Sequence, residues 1–238
     1  IGGLAASLRL SHMGYNVKVF ETAQTGGGKL RTITGQTGEI DIGPTVLTLL
    51  PVFQNLFKSV GEDIFEHVEL VRQKIIARHW WPDGETLDLY DDFETSRDAI
   101  LNFSGSDSAK EFEKYFYDTR DLFSCFDIPV MRNPNPSMLD MNRAVLNNPK
   151  ILFKMHPLRT LSSLLNYKFR DSRLQQLFGR YSTYVGGSPL ESPALLSLIW
   201  QAEARGVWSI KGGMKKLARV LEKSVSYTHL RAHETSID

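Results

Sequence analysis

The sequence predicts an α/β chain: half of a βαβ unit leads into a mainly helical region carrying a β-hairpin, and the chain then returns to the first layer. Three observations predict it. A helical apolar stripe over residues 3–15 runs through a tight turn into the β-branched segment 16–21. Residues 75–90 hold two strand-like runs around Asp83-Gly84, the signature of a hairpin. From 106 to about 205 the apolar spacing is that of helices.

Each element follows from its residues. Leu4, Ala5, Leu8 and either His12 or Met13 share one face of the first helix, and Gly14 is a natural C-terminal stop. Asn16-Val17-Lys18-Val19-Phe20-Glu21 reads as a short buried strand ending in an acid. The glycine-rich run Thr25-Gly26-Gly27-Gly28-Lys29-Leu30-Arg31-Thr32 follows, then Glu39-Ile40-Asp41-Ile42-Gly43-Pro44-Thr45 as a strand entering a turn, and a short helix over 51–60. The loop Asn133-Pro134-Asn135-Pro136 interrupts the helical region, and Gly212-Gly213 precedes an amphipathic helix reaching about residue 224. There are no internal repeats and no low-complexity linker. Ile1-Gly2-Gly3 reads as the middle of a motif whose first strand would lie ahead of Ile1. The run from Tyr227 to Thr235 does not read as native protein, so 225–238 is set outside the fold reasoning and His229 and His233 are not taken as a metal pair.

Composition narrows the classes. The chain has 238 residues, 42% of them hydrophobic, enough for one large core or two modest ones. A formal net charge of +1 argues against a nucleic-acid partner. The lone cysteine, Cys125, excludes an internal disulfide and sits in Leu122-Phe123-Ser124-Cys125-Phe126, where a small buried hydrophobe is expected. No apolar stretch approaches the ~20 residues of a membrane helix. Charge is nevertheless uneven: residues 82–121 hold twelve acids and four bases, whereas 142–181 hold eight bases and one acid, interleaved with large apolar residues. That basic stretch reads either as a helix lying on an anionic membrane surface or as an ordinary amphipathic helix with a solvated face.

The first 45 residues carry chemistry. Glycines where a strand turns into a helix let the backbone approach a pyrophosphate, which rests on the helix N-terminus, and an acid about 20 residues on bonds ribose hydroxyls. Gly2 and Gly3 open the helix, with Gly3 as the third glycine of such a Rossmann fingerprint, and Glu21 lies 18 residues later at a strand end. After five more residues come Gly27-Gly28-Lys29, then Arg31-Thr32: glycines for close approach and cations to offset phosphate charge.

The acid, five-residue gap and Gly-Gly-Lys run resemble the motif of the amine oxidase and phytoene desaturase flavoproteins. Asp41-x-Gly43-Pro44-Thr45 resembles the segment that passes the flavin ring there. Leu177-Phe178-Gly179-Arg180-Tyr181-Ser182-Thr183-Tyr184-Val185-Gly186-Gly187-Ser188-Pro189, Pro193-Ala194 and the run from Gly206 to Leu217 are similar to bacterial carotenoid desaturases. They are closest to the subgroup of 1-hydroxycarotenoid 3,4-desaturases and methoxyneurosporene dehydrogenases. The resemblance covers residues 1 to about 224, roughly half of a full family member. It implies FAD, held by Gly2, Gly3, Glu21, Gly27, Gly28, Lys29, Arg31, Thr32, Gly43, Pro44 and Thr45. It also implies a Rossmann-like FAD-binding domain at 1–67, a largely helical substrate and membrane domain at 68–204 and a return to the first domain at 205–224. The implied activity is desaturation of a carotenoid in carotenoid biosynthesis, by a bacterial cytoplasmic enzyme bound peripherally to the membrane. No catalytic acid or base stands out and no metal is expected. Another flavin amine oxidase-like enzyme, a phytoene desaturase, and an inactive fragment that does not bind FAD stay open as alternatives. Tyr181, Tyr184 and Trp200 read as core residues or as substrate lining.

Overall fold

A computed structural model of the chain describes residues 1–234, with side chains described through Ser226. In chain order the elements are α1 (Gly2–His12), β1 (Thr32–Gly35), β2 (Gly38–Asp41), α2 (Leu50–Lys58), α3 (Ile64–His67), β3 (Leu70–Arg72), β4 (Ile75–Trp80), β5 (Thr86–Tyr90), α4 (Phe93–Phe126), α5 (Met138–Asn147), α6 (Ile151–Met155), α7 (Leu161–Lys168), α8 (Ser172–Gly179), α9 (Trp200–Ala204), β6 (Trp208–Ile210) and α10 (Lys215–Glu234). They form two compact units, residues 1–73 with 207–238, and residues 74–206. The tail residues 227–234 continue α10, and the side chains of His229 and His233 lie outside the described residues.

In the first unit the core gathers Leu4 and Leu8 of α1, Phe57 of α2, Ile64 of α3, and Leu217 and Leu221 of α10. The buried stripe of α1 runs Leu4, Ser7, Leu8 and Ser11, so small hydroxyls complete the face where His12 or Met13 was expected; both of those are exposed. β1 and β2 pair antiparallel with Thr32 opposite Asp41, and β3 pairs antiparallel with β6, Leu70 opposite Ile210. The second pairing brings the chain back after the excursion of residues 74–206. Segment 16–21 is not a strand. It belongs to no ladder, and Val19 and Phe20 are exposed, Phe20 by 93%. β-branched residues favour an extended backbone, but a strand exists only with a hydrogen-bonding neighbour, and among the described residues none pairs with this segment. All strand pairs among the described residues are antiparallel, so no parallel sheet is present there.

The second unit opens with the expected hairpin, β4 against β5 with Trp80 opposite Thr86. The long helix begins at Phe93 rather than at Ser106, capped by the Asp92 carboxylate, which accepts from the Thr95 N–H at 2.8 Å. Gly105, with φ 85° and ψ 178°, breaks it in the middle, which is why the apolar period restarts after that residue. Its buried Phe112 and Tyr115 join Phe169, Phe178, Tyr181 and Trp200 in an aromatic core. Tyr184, by contrast, is half exposed.

The uneven charge has a structural explanation. Lys154 pairs with Asp118 and Asp121 at 3.1 and 2.6 Å, Lys168 with Asp118 at 2.7 Å, and Arg170 with Asp107 and Glu111 at 2.9 and 3.3 Å. Arg173 pairs with Asp171 and Arg180 with Glu203. The acidic stretch thus neutralises much of the basic one across helix contacts, and Arg143, Lys150 and Arg159 are the bases of the stretch without an ion pair among the described residues. Asp171 also caps α8; bonds from Arg173 and Ser104 hold its carboxyl down at about 2, against the ordinary 3.8, so the cap keeps its charge until strongly acid pH.

Candidate cofactor site

The site is built on the first turn of α1. Ile1 offers no side-chain cap, and the first turn closes with the Ala5 N–H donating to the Ile1 carbonyl at 2.9 Å, which leaves the N–H groups ahead of it without an intrahelical acceptor. Those groups and the helix dipole favour an anion. A methyl group added at Gly2 or Gly3 would meet nothing within 4 Å, so space stands open in front of the turn.

Glu21 is exposed and curls back on its own loop. Its Oε1 accepts from the Ala23 N–H at 3.0 Å, and this bond, aided by Thr22, lowers its carboxyl below the usual range. It is therefore a fixed carboxylate at neutral pH. The glycine loop is laid against α10. Gly27 has φ 117°, and a Cβ there would lie 2.7 Å from the Ala218 Cβ. Gly28, φ 62°, faces open space. The Lys215 ammonium donates to Thr25 Oγ1 at 2.6 Å and ties the start of the loop to the same helix.

The Asp-x-Gly segment crosses beneath this loop. A Cβ on Gly43 would sit 1.9 Å from the Lys29 carbonyl oxygen, and the Ile42 N–H donates to the Arg31 carbonyl at 2.9 Å. Asp41 reaches the far end of the unit, where its Oδ2 accepts from the Met214 N–H at 2.8 Å; its Oδ1 is buried without a partner. Gly213, φ 89°, turns the chain there into α10.

A cavity of about 470 Å³ brings Gly3, Glu21, Gly27 and Gly28 together. Gly2 adjoins it. Lys29, Arg31, Thr32, Gly43, Pro44 and Thr45 are not in its lining: the two cations are exposed without ion pairs among the described residues, Thr32 opens β1, and Gly43 to Thr45 lie along the turn behind the loop. Sequence reasoning missed Gly26, Glu222, Val225 and Ser226, which also line the cavity. The signal for α10 was its role as the chain's return. The open glycine positions, the free helix N–H groups and the adjacent ionised carboxylate fit the phosphates and ribose of a dinucleotide.

This arrangement defines a class, a cradle for an anionic ligand with hydroxyl groups, and comparison with known proteins narrows it. The family model of flavin-containing amine oxidoreductases matches residues 1–238, and the chain belongs to that family. FAD is accordingly its cofactor. Hydroxyneurosporene desaturase of Cereibacter sphaeroides is 44% identical over 94% of the chain and 45% of its own length, and that of Rhodobacter capsulatus is 40% identical over 98% of the chain and 47% of its own. The chain thus spans about half the length of the curated relatives it matches. Among solved structures, putrescine oxidase bound to putrescine superimposes with a TM-score of 0.59 at 15% identity, over 95% of the chain and 47% of that protein, which shows a shared fold of mixed helix and strand.

Proposed function

We propose that the protein is an FAD-dependent oxidoreductase that desaturates a carotenoid. The observation that carries this reading is the 44% identity to a hydroxyneurosporene desaturase over 94% of the chain. In this reading 1–67 and 205–224 belong to a Rossmann-like FAD-binding domain, and 68–204 to a substrate domain. Gly2 and Gly3 present N–H groups to the pyrophosphate. Glu21 accepts from ribose hydroxyls, and Gly27 and Gly28 let the backbone come close. Lys29 and Arg31 supply compensating charge, while Thr32 and the Gly43-Pro44-Thr45 turn pass the flavin ring. When bound, the flavin accepts the hydride removed from the polyene. The experiment is titration of the intact protein with FAD, read by quenching of flavin fluorescence. Glu21→Gln is expected to weaken binding about tenfold, the worth of one charge-assisted bond. A colourless protein that ignores added FAD would sink the reading, and an unchanged affinity would remove Glu21 from it.

A hydrophobic substrate also requires a route from the bilayer. Among the described residues no helix is long and apolar enough to cross a membrane. We infer peripheral docking through 138–159. α5 buries no side chain, Leu146, Phe153 and Leu158 are 79, 80 and 99% exposed, and the unpaired bases Arg143, Lys150 and Arg159 lie in the same stretch. Lys154, held by two aspartates, is not part of it. Replacing Leu146, Phe153 and Leu158 together by serine is expected to lower co-sedimentation with anionic liposomes at least tenfold, since three buried apolar side chains are worth several kcal/mol. Sedimentation equal to the parent protein would rule the segment out.

A further inference from the structure

The cofactor cavity has a wall that the pyrophosphate and ribose contacts leave unused. Besides Gly3 and Glu21, its lining takes in Val17, Val19 and Phe20 from the extended segment and Glu222 from α10. The glycine loop fixes where Glu222 stands. A Cβ built on Gly26 would lie 3.9 Å from both Cδ and Oε2 of Glu222, and 3.7 Å from Leu4 Cδ1 of α1. The carboxylate therefore faces the loop from the α10 side, four residues beyond the Ala218 that packs under Gly27. Among the described residues its oxygens accept no hydrogen bond; only its backbone carbonyl does, from the Ser226 hydroxyl at 3.1 Å. Glu21 differs, for part of its carboxylate already holds the Ala23 N–H. Phe20 presents an exposed ring to the same space.

These groups suit one part of a dinucleotide. A nucleobase needs apolar surface for its faces and a polar partner at its edge, and an aromatic ring is worth about 1–3 kcal/mol to a stacked base. Phe20, with Val17 and Val19 beside it, supplies such a surface. A carboxylate only accepts, so Glu222 matches an edge that offers an N–H and rejects one that shows lone pairs alone. It also repels phosphate, which keeps the diphosphate at the N–H groups of α1 and sends the base toward α10. Two carboxylates on one cavity could instead hold a metal ion, but among the described residues no third histidine, cysteine, aspartate or glutamate joins them.

We propose that Glu222 reads the base of the bound dinucleotide, accepting a hydrogen bond from the exocyclic amine of adenine while Phe20 stacks on the ring and Glu21 takes the ribose. This deepens the flavin reading and rests on it. Gly26 then keeps the carboxylate accessible, because a side chain there would occupy the gap between the loop and Glu222.

The test is calorimetric titration of the intact protein with ADP and with the diphosphate of purine riboside, which carries hydrogen in place of the exocyclic amine. ADP is expected to bind about tenfold more tightly, the worth of one hydrogen bond to a charged acceptor. Glu222→Met keeps the length of the side chain and removes the acceptor, and should bring the ratio of the two constants close to one without weakening the analogue. Its position on the helix surface makes the change harmless to folding. Glu21→Gln and Phe20→Ala should weaken both nucleotides alike and preserve the ratio, since neither touches the amine. Equal affinities in the parent protein, a preference that Glu222→Met retains, or no uptake of either nucleotide would overturn the proposal. A protein that prefers ADP in this way yet ignores FAD would instead overturn the flavin reading and leave the base site standing.

Discussion

Gly43→Ala is expected to unfold the first unit more readily than any other single-methyl addition in the cofactor site. The new Cβ would lie 1.9 Å from the Lys29 carbonyl oxygen, far inside contact distance, and the clashing atom is backbone that cannot rotate away. Nor can either segment slide. Immediately beside the crossing, the Ile42 N–H is bonded to Arg31 and the β1–β2 register starts at Thr32 opposite Asp41. Moving Gly43 would also pull Asp41 from the Met214 N–H that leads into α10. The cost is about 3 kcal/mol, the upper end of overpacking, because the usual relief through side-chain rotation is missing. Urea unfolding should show it as a lowered midpoint with an unchanged slope. Gly3→Ala is the contrast: its methyl meets open space and suits a helix, so stability should hold or rise slightly while FAD affinity falls. Equal stability of Gly43→Ala and the parent protein would mean that the two segments do not cross as described.

How much of this was legible in the sequence depended on whether the cause was local. The β4–β5 hairpin was readable because Asp83-Gly84 encodes its turn and the flanking residues alternate. The glycine loop was readable for the same reason: Gly27 and Gly28 take positive φ, which few other residues accept. Segment 16–21 misled because extended propensity is local but pairing is not. The start of α4 was misplaced because Gly105 breaks the helix in the middle and the apolar period restarts only beyond it. The charge asymmetry was visible as a pattern. Its resolution was not, since Lys154 finds Asp121 and Lys168 finds Asp118 only after α4 and the later helices pack. In the candidate site, Gly3, Glu21, Gly27 and Gly28 meet at one cavity, whereas the α10 wall was hidden, nearly 200 residues away in the chain.

Trp200→Ala is expected to have the largest effect in the second unit. Trp200 is 2% exposed and its ring lies 5.4 to 6.1 Å from those of Phe112, Tyr115, Phe116 and Phe178. Its indole N–H donates to Thr119 Oγ1 at 2.7 Å, an atom that also accepts from Gln201 at 3.0 Å. Truncation removes the centre of an aromatic cluster that no neighbour can refill, at about 3–5 kcal/mol. Trp200→Phe separates the two contributions. It keeps a ring but loses the N–H bond and some volume, and should cost about 1–2 kcal/mol. If the two variants were equally unstable in urea, the hydrogen bond rather than the packing would hold the core. The consequence reaches the buried carboxylate of Glu203, because Trp200 and Glu203 share the five residues of α9. A buried carboxylate tolerates no imprecision: displaced from Arg180, Tyr181 and Tyr184, which donate to it, it is an uncompensated charge. The aromatic core therefore sets the position of Glu203 through the short helix the two residues share.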